Sequence, residues 1–220
     1  MVEPNLYKDK EFAYYGSMRR EILPLLPQVT NEVLELGCGT GATLDWLKKI
    51  RRCQVTTGIE LAADAAEIAR GVVDTVIVAD IERDIIDLPE NKFDLILCLD
   101  VLEHTRDPWS VLKLLVRWLR KGGIIIASIP NVRYRAIVFD LLFKGKFEYQ
   151  NVGILDRSHL RFFTKDSAIQ LMKSGGLEDI HLILHPPQLG GVLQLVNVLT
   201  MGYFRDMFSW QIIISGKRCT

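Results

Sequence analysis

The sequence predicts an α/β fold in which a doubly wound, mostly parallel sheet carries helices on both faces. From residue 32 onward, short apolar runs alternate with helical patterns. Near-continuous runs of Val, Ile and Leu separated by helices are typical of parallel strands buried on both faces. Five such runs are present, at residues 33–36, 55–60, 76–80, 93–99 and 123–129.

Length and charge limit what the chain does. Its 220 residues suffice for one domain, 1–220, with insertions, since domains average roughly 150 residues. The 27 Lys and Arg residues balance the 27 Asp and Glu residues, so we expect no nucleic-acid partner. No run of about 18 apolar residues occurs, which argues against a membrane span.

The four cysteines, Cys38, Cys53, Cys98 and Cys219, show no CxxC pairing and no nearby histidine at metal-ligand spacing. An N-terminal basic and apolar signal segment is also absent. Both observations favour a reducing compartment, and we expect a cytoplasmic protein.

Capping signals predict the helix boundaries. Residues 9–26 carry apolar side chains at helical spacing and predict an amphipathic leading helix. Asp107 and Pro108 suit the N-cap and first position of a helix that Gly122 and Gly123 terminate. A further helix is expected at 165–174, then strands at 178–185 and at about 208–216.

Two insertions interrupt this pattern. Residues 131–165, the lid segment, hold seven basic side chains against three acidic ones, whereas residues 80–107 hold nine acidic against three basic. We expect the lid segment to cover the active site. Residues 186–207 form an apolar insertion before the last strand. The apolar side chains of both insertions suit an apolar acceptor, a homodimer contact or simple packing.

A glycine-rich turn follows the first predicted strand and contains Gly37, Cys38, Gly39 and Gly41. Glycines at alternate positions let the backbone turn tightly and approach a ligand closely. Glu60 ends the second strand nineteen positions after Gly41 (60 − 41). Because a carboxylate can accept two hydrogen bonds from a ribose diol, the turn and this acid predict a nucleoside site.

The spacing of this turn indicates which nucleoside it suits. Dinucleotide oxidoreductases usually carry GxGxxG, whose turn holds a pyrophosphate. Here the pattern is GxGxG, and Glu35 precedes it within the strand. A carboxylate at that point suits a ligand with an ammonium group better than a pyrophosphate.

Four segments, VLELGCGTG, GIE, VIVADIE and FDLILCLDVLEH, resemble the motifs of class I S-adenosylmethionine-dependent methyltransferases. More narrowly, CLDVLEHTRDP, SIPNVR and ILDRSHLRFFT resemble a bacterial subgroup related to ubiquinone-biosynthesis O-methyltransferases and to enzymes acting on sugars or cell-surface glycans. The resemblance covers roughly residues 30 to 185. Its motifs are specific for the cofactor and weakly specific for the acceptor.

The resemblance implies S-adenosyl-L-methionine as cofactor and a seven-stranded sheet in the order 3-2-1-4-5-7-6 with an antiparallel last strand. It assigns the glycines to the cofactor, Glu60 to the ribose, Asp80 with Ile81 to the adenine, and Leu99 with Asp100 to the methionine portion. A turn or cap role for Asp80 and core packing for Leu99 are the alternatives. The expected cofactor-binding residues are Glu35, Gly37, Cys38, Gly39, Gly41, Glu60, Leu61, Asp80, Ile81, Leu99 and Asp100.

Methyl transfer to a hydroxyl needs a proton acceptor as well as alignment. His159 in the lid segment is the first candidate for this base or for acceptor contact, and Arg161 and Arg133 are candidates for binding an anionic acceptor. The alternative is that His159 and Arg161 fix the lid segment to the sheet. His181 and His185 are expected to be structural.

His104 follows Asp100 and Glu103 at helical spacing and is a second catalytic candidate. The resemblance implies a divalent-metal site at these three positions, with Asp in place of Glu at the first. Mg²⁺ binding there stays open. We favour the interpretation that the carboxylates stabilise a helix start, and we assign no metal ligand.

The predicted function is therefore methyl transfer from S-adenosylmethionine to a small-molecule acceptor, anionic or apolar, at a hydroxyl of a quinone-, sugar- or lipid-like metabolite. One alternative is a nicotinamide-dependent Rossmann oxidoreductase. The position of Gly41 and the absence of a Tyr-x-x-x-Lys pair count against it. The other alternative is a cofactor-binding module without catalysis.

Overall fold

The computed structural model describes residues 16–185 and 198–219. Within them one sheet has the order β3-β2-β1-β4-β5-β7-β6, which is the order that the family resemblance implies. Strands β1 to β5 pair in parallel, and β7 is antiparallel to β5 and β6. The strands are β1 (Glu32–Leu36), β2 (Val55–Glu60), β3 (Thr75–Val78), β4 (Phe93–Leu99), β5 (Leu119–Pro130), β6 (Leu177–His185) and β7 (Gln211–Arg218).

Helices connect the strands. Short 3-10 helices lie at Arg20–Leu25, Leu102–His104 and Arg205–Phe208. Among the described residues, no helix has the length and apolar character needed to cross a membrane. The α-helices with both ends described are α1 (Ala42–Lys49), α2 (Ala63–Ala69), α3 (Pro108–Trp118), α4 (Arg135–Lys144) and α5 (Lys165–Ser174).

Side chains of the central strands alternate between two buried clusters, one on each face of the sheet. Val33 and Leu95 belong to the cluster covered by α1. Their neighbours Leu34 and Ile96 belong to the cluster covered by α3. Successive strand residues point to opposite faces. Burial on both faces explains why these strands are continuous apolar runs in the sequence.

The start of α3 follows the prediction and its end does not. The side chain of Asp107 accepts a hydrogen bond from the Ser110 amide at 3.1 Å, which is the expected N-cap. The helix ends at Trp118, however, and Gly122 and Gly123 lie inside β5. The pairing of β5 with β4 is irregular near its start. Gly122 has a φ of 76°, so it accommodates this irregularity instead of ending the helix.

The expected leading helix at 9–26 is described only in part, since residues 9–15 lie outside the described residues. Of its described residues, 16–19 are not helical and Arg20–Leu25 forms a 3-10 helix. Pro24 lies inside this helix and lacks the amide that an α-helix would use there. Ile22 is fully buried and fixes the segment to the sheet.

The lid segment contains α4, in which no residue is buried, and Gly145 ends this helix with a φ of 61°. Residues 186–197 of the apolar insertion lie outside the described residues. The covering role of the lid segment stays a prediction.

Candidate active site

The glycine turn folds back onto the end of β2. The amides of Gly37 and Cys38 both donate to the carbonyl oxygen of Ile59, at 2.8 and 3.2 Å. Gly37 has a φ of 69°, and a Cβ built on it would lie 2.5 Å from Cγ2 of Val101. Backbone conformation and packing therefore both require glycine at this position.

Glu60 joins this turn to the end of β2. It is buried; its Oε2 accepts a hydrogen bond from the Gly39 amide at 2.8 Å, and its Oε1 accepts one from the Ala62 amide at 2.9 Å. Each carboxylate oxygen has two lone pairs. The carboxylate thus retains acceptor capacity for a diol while it holds the turn.

Glu35 lies beneath the turn and is 3% exposed. Burial raises the pKa of its carboxyl from 4.5 to about 8, although the charge of Arg19 and a hydrogen bond from Thr43 oppose this shift. Its Oε2 accepts no hydrogen bond from any described residue. A buried acceptor of this kind suits an ammonium group, so the site fits a ligand that carries one.

Asp100 directly follows β4 and collects three donors. It has a φ of 56°. Its Oδ2 accepts a hydrogen bond from the guanidinium of Arg19. Its Oδ1 accepts one from the hydroxyl of Ser128 at 3.1 Å and one from the side-chain amide of Gln211. Arg19 also donates to Ser128 at 3.1 Å. Arg19 and Gln211 belong to no sequence motif and were not among the expected site residues. The available signal for Ser128 was a polar residue within an apolar strand, close to its carboxyl end.

Most of the other expected cofactor residues lie in turns or in the hydrophobic core. Oδ1 of Asp80 accepts from the Glu82 amide at 2.9 Å, so this acid serves the turn after β3. Leu99 is buried in one of the core clusters and Cys38 in the same one. Leu61 is half-exposed just beyond Glu60, and Ile81 packs against the other cluster.

The two expected catalytic histidines lie side by side. The rings of His104 and His159 are edge to face, with centroids 4.7 Å apart. Nδ1 of His104 lies 3.1 Å from the carbonyl oxygen of Ser158, and Nδ1 of His159 lies 2.9 Å from that of Ile154. Together with the buried Glu103, each offers a ligand atom within 4.8 Å of the others.

The expected anion-binding arginines are engaged by protein groups. Nε of Arg161 donates to the carbonyl oxygen of Arg106 at 3.0 Å. Arg133 donates to both carboxylate oxygens of Asp206 at 2.7 Å. The Arg161 contact ties the lid segment to the loop before α3. Binding of an anionic acceptor by Arg161 and Arg133 stays a prediction.

Aromatic side chains follow the sheet edge beside Asp100. Trp210 immediately precedes Gln211 and is 44% exposed. Its ring lies 5.6 Å from that of His185 and 6.5 Å from that of Tyr134, both edge to face. His185 pairs with Gln211 in the β6–β7 register. A partly open aromatic wall therefore lies next to the Asp100 cluster.

Comparisons with known proteins agree with this architecture. A family model described as a methyltransferase domain matches residues 10–182. The ubiquinone biosynthesis O-methyltransferase of Idiomarina loihiensis is 28% identical over 176 residues, which cover 76% of this chain and 70% of that protein.

Two solved structures share the fold. A SAM-dependent methyltransferase from Archaeoglobus fulgidus superposes with a TM-score of 0.67 at 17% identity, over 90% of each chain. Phosphoethanolamine N-methyltransferase 2 of Haemonchus contortus, solved with S-adenosyl-L-methionine, has a TM-score of 0.62 at 14% identity; the match covers 91% of this chain and 52% of that one.

The family match decides against the nicotinamide alternative, since it spans the glycine turn and strands β1 to β5. The glycine turn, Glu60 and the orphaned oxygen of Glu35 fit the cofactor that this family uses. The chain belongs to the methyltransferase-domain family and is a class I enzyme that depends on S-adenosylmethionine.

Proposed function

We propose that the chain methylates a hydroxyl group of a small, ring-shaped acceptor. The observation that carries this proposal is the aromatic wall formed by Tyr134, Trp210 and His185 beside the Asp100 cluster. Flat aromatic faces suit a planar ring by stacking and a sugar ring by apolar contact. The name of the Idiomarina loihiensis relative supports an oxygen atom as the methyl acceptor.

On the cofactor side, we infer that Glu60 binds the ribose hydroxyls and that Glu35 binds the ammonium of the methionine portion. We assign Arg19 to the carboxylate of the methionine portion. Its guanidinium contacts Asp100 and Ser128 at the carboxyl edge of the sheet, and a guanidinium binds carboxylates well. S-adenosylmethionine supplies a methyl group activated by a sulfonium. The residues of the chain hold it, orient the acceptor and exclude water.

A base must remove the proton of the hydroxyl group that is methylated. His185 is a third candidate for this base, beside His159 and His104. His185 packs against the partly exposed Trp210 and pairs in register with Gln211, which contacts Asp100. We infer that His185 accepts the proton, because an imidazole at this edge of the sheet is a suitable general base.

Mass spectrometry of the products tests the function directly. The full chain is incubated with S-adenosylmethionine and one of three probes: 3,4-dihydroxybenzoate, histamine or phosphoethanolamine. We expect S-adenosylhomocysteine and a methyl ether with the first probe alone. Methylation of either amine without methylation of the catechol would contradict the hydroxyl assignment.

Matched histidine variants test the base. We expect His185→Asn to lower kcat by about 100-fold or more with little change in KM, as for loss of a general base. His181→Asn is the control, because this residue lies on the same strand but is exposed and ion-paired with Asp179 at 3.1 Å. Loss of kcat in His159→Asn but not in His185→Asn would return the role to His159.

A further inference from the structure

The residues at which the resemblance implies a metal do not come together. Asp100 gives its carboxylate to Arg19, Ser128 and Gln211. Among the residues that the structure describes, the group with metal-ligand geometry consists of Glu103, His104 and His159, and it does not include Asp100. The implied ligand set therefore does not fit this chain, whereas a set with a second histidine does.

The geometry of this group suits one small cation. Because its three ligand atoms lie within 4.8 Å of one another, a central point exists no farther than about 2.8 Å from each. Zinc bonds to histidine nitrogen and carboxylate oxygen are about 2.0 to 2.2 Å long. An inward movement of about 0.7 Å per side chain therefore closes the site.

Backbone contacts hold the two halves of the group together. The carbonyl oxygen of Glu103 accepts hydrogen bonds from the amides of Leu160 and Arg161, at 2.8 and 3.0 Å. These bonds fix the lid segment against the 3-10 helix at Leu102–His104. His159, which directly precedes Leu160 and is 8% exposed, is thereby held beside Glu103.

In both histidines one ring nitrogen is held by a backbone carbonyl, as is usual for metal-binding histidines. Nδ1 of His104 and Nδ1 of His159 each lie within hydrogen-bond distance of a backbone carbonyl oxygen, which only accepts hydrogen bonds. Each Nδ1 must therefore carry the proton. In the neutral tautomer this leaves the lone pair on Nε2, and an Nδ1–H bond to a carbonyl is the usual support of a metal-binding histidine.

We propose that Glu103, His104 and His159 form a binding site for a divalent transition metal. Two imidazoles and one carboxylate suit Zn²⁺ or Fe²⁺, whereas Mg²⁺ prefers oxygen ligands throughout. Three protein ligands leave at least one position open, and a metal there would act as a Lewis acid toward an oxygen ligand. The rival is an ion pair in which one of the histidines is protonated and faces Glu103.

Metal binding tests the proposal without any acceptor, so its failure is distinguishable from failure of the proposed function. The full chain is treated with a chelator and desalted, and Zn²⁺ is titrated in competition with a chromogenic indicator. We expect one Zn²⁺ per chain and an affinity at least about 100-fold lower in His159→Gln and in Glu103→Gln. We also expect Mg²⁺ to bind far more weakly than Zn²⁺.

Two controls separate the ligand sets. His181→Gln removes an exposed histidine, and Asp100→Asn removes the acid that the resemblance implies; both variants should keep the wild-type Zn²⁺ affinity. Absence of binding in the wild type, unchanged binding in His159→Gln, loss of binding in Asp100→Asn, or equal affinity for Mg²⁺ would each overturn the proposal.

A measurement on the wild type covers the case in which a variant fails to fold. With the four histidines labelled with ¹⁵N, Zn²⁺ should shift the ring nitrogen resonances of two of them. A shift of none or of all four would overturn the assignment.

Discussion

Arg19 and Asp100 form an ion pair at the carboxyl edge of the sheet although they lie 81 positions apart. Asp100 is presented by a left-handed backbone conformation directly after β4. Arg19 comes from the segment that precedes β1 and is mostly buried. Ligands of open α/β sheets bind beyond the carboxyl ends of the strands. We therefore propose that the segment before β1 forms part of the wall of the cofactor site.

Substitution of Arg19 tests this relationship. Arg19→Gln removes the cation that we assign to the methionine carboxylate. Hydrogen bonds to charged groups contribute about 1.5 to 3 kcal/mol, so we expect the Kd for S-adenosylhomocysteine, measured by calorimetry, to rise about 10- to 150-fold. Arg20→Gln changes the exposed neighbour and should leave Kd unchanged. Equal changes in Kd in the two variants would show that Arg19 makes no specific contact with the ligand and affects binding only through its net charge.

Substitution of Glu60 tests the ribose contact. Glu60→Gln replaces one acceptor oxygen by a donor that faces a backbone amide, and it removes the charge offered to the diol. We expect the affinity for S-adenosylhomocysteine to fall by about 1 to 3 kcal/mol. Glu67→Gln on the exposed side of α2 is the control. An unchanged Kd in Glu60→Gln would contradict the assignment of this residue.

Much of the fold follows from local pattern. Strands β2 and β4 match the predicted residues because burial on both faces makes each a continuous apolar run. Helix α5 matches its predicted bounds, since Thr164 caps one end and Gly175 follows the other. The end of α3 was predicted wrongly, because pairing of β5 with β4 competes with the helix from Leu119 onward.

The site was less predictable than the fold. Glu60 ends β2 and Glu35 lies within β1 just before the glycine turn, so both could be named from their positions relative to that turn. The roles of Arg19 and Gln211 depend on long-range contacts with Asp100, which no local pattern contains. The proximity of His159 to Glu103 depends in the same way on hydrogen bonds that backbone amides of the lid segment donate to Glu103. The expected homodimer and the cytoplasmic location stay predictions.

Glu35 should make the stability of the ligand-free chain depend on pH. Its pKa is about 8 in the folded chain, because of burial, against an ordinary value of 4.5. Between these values the folded state keeps a proton that the unfolded state loses, so the free energy of unfolding falls as pH rises from 4.5 to 8. The stabilisation that comes from protonated Glu35 is fully present below pH 4.5 and is lost above pH 8.

Urea denaturation across this pH window, in wild type and in Glu35→Gln, measures the effect. As pH rises through this window, the free energy of unfolding should fall in the wild type relative to Glu35→Gln, which has no carboxyl group at this position to titrate. Glu32→Gln, on the same strand but partly exposed and paired with Lys92 at 3.7 Å, is the control. Parallel curves for wild type and Glu35→Gln would show that the carboxyl keeps its ordinary pKa.

Ligand binding provides a second measurement on Glu35. An ammonium group against this side chain favours the carboxylate, so binding of S-adenosylhomocysteine below pH 8 should release a proton. Calorimetry in two buffers with different ionisation enthalpies detects that proton. Glu35→Gln should release none, and proton release that is equal in both proteins would assign it to another group.

Gly37→Ala separates packing from backbone strain at the glycine turn. A left-handed conformation costs about 1 to 2 kcal/mol for a residue with a Cβ, and the contact with Val101 at 2.5 Å adds overpacking of about 1 to 3 kcal/mol. Gly145→Ala is the matched control, because Gly145 has a φ of 61° and no atom within 4 Å of a built Cβ. Chemical denaturation should therefore show a larger loss of stability in Gly37→Ala than in Gly145→Ala.

Adding Val101→Ala to Gly37→Ala relieves the overpacking alone, so the double variant should lose less stability than the sum of the two single variants. Full additivity would mean that Val101 moves aside freely and that strain alone selects glycine.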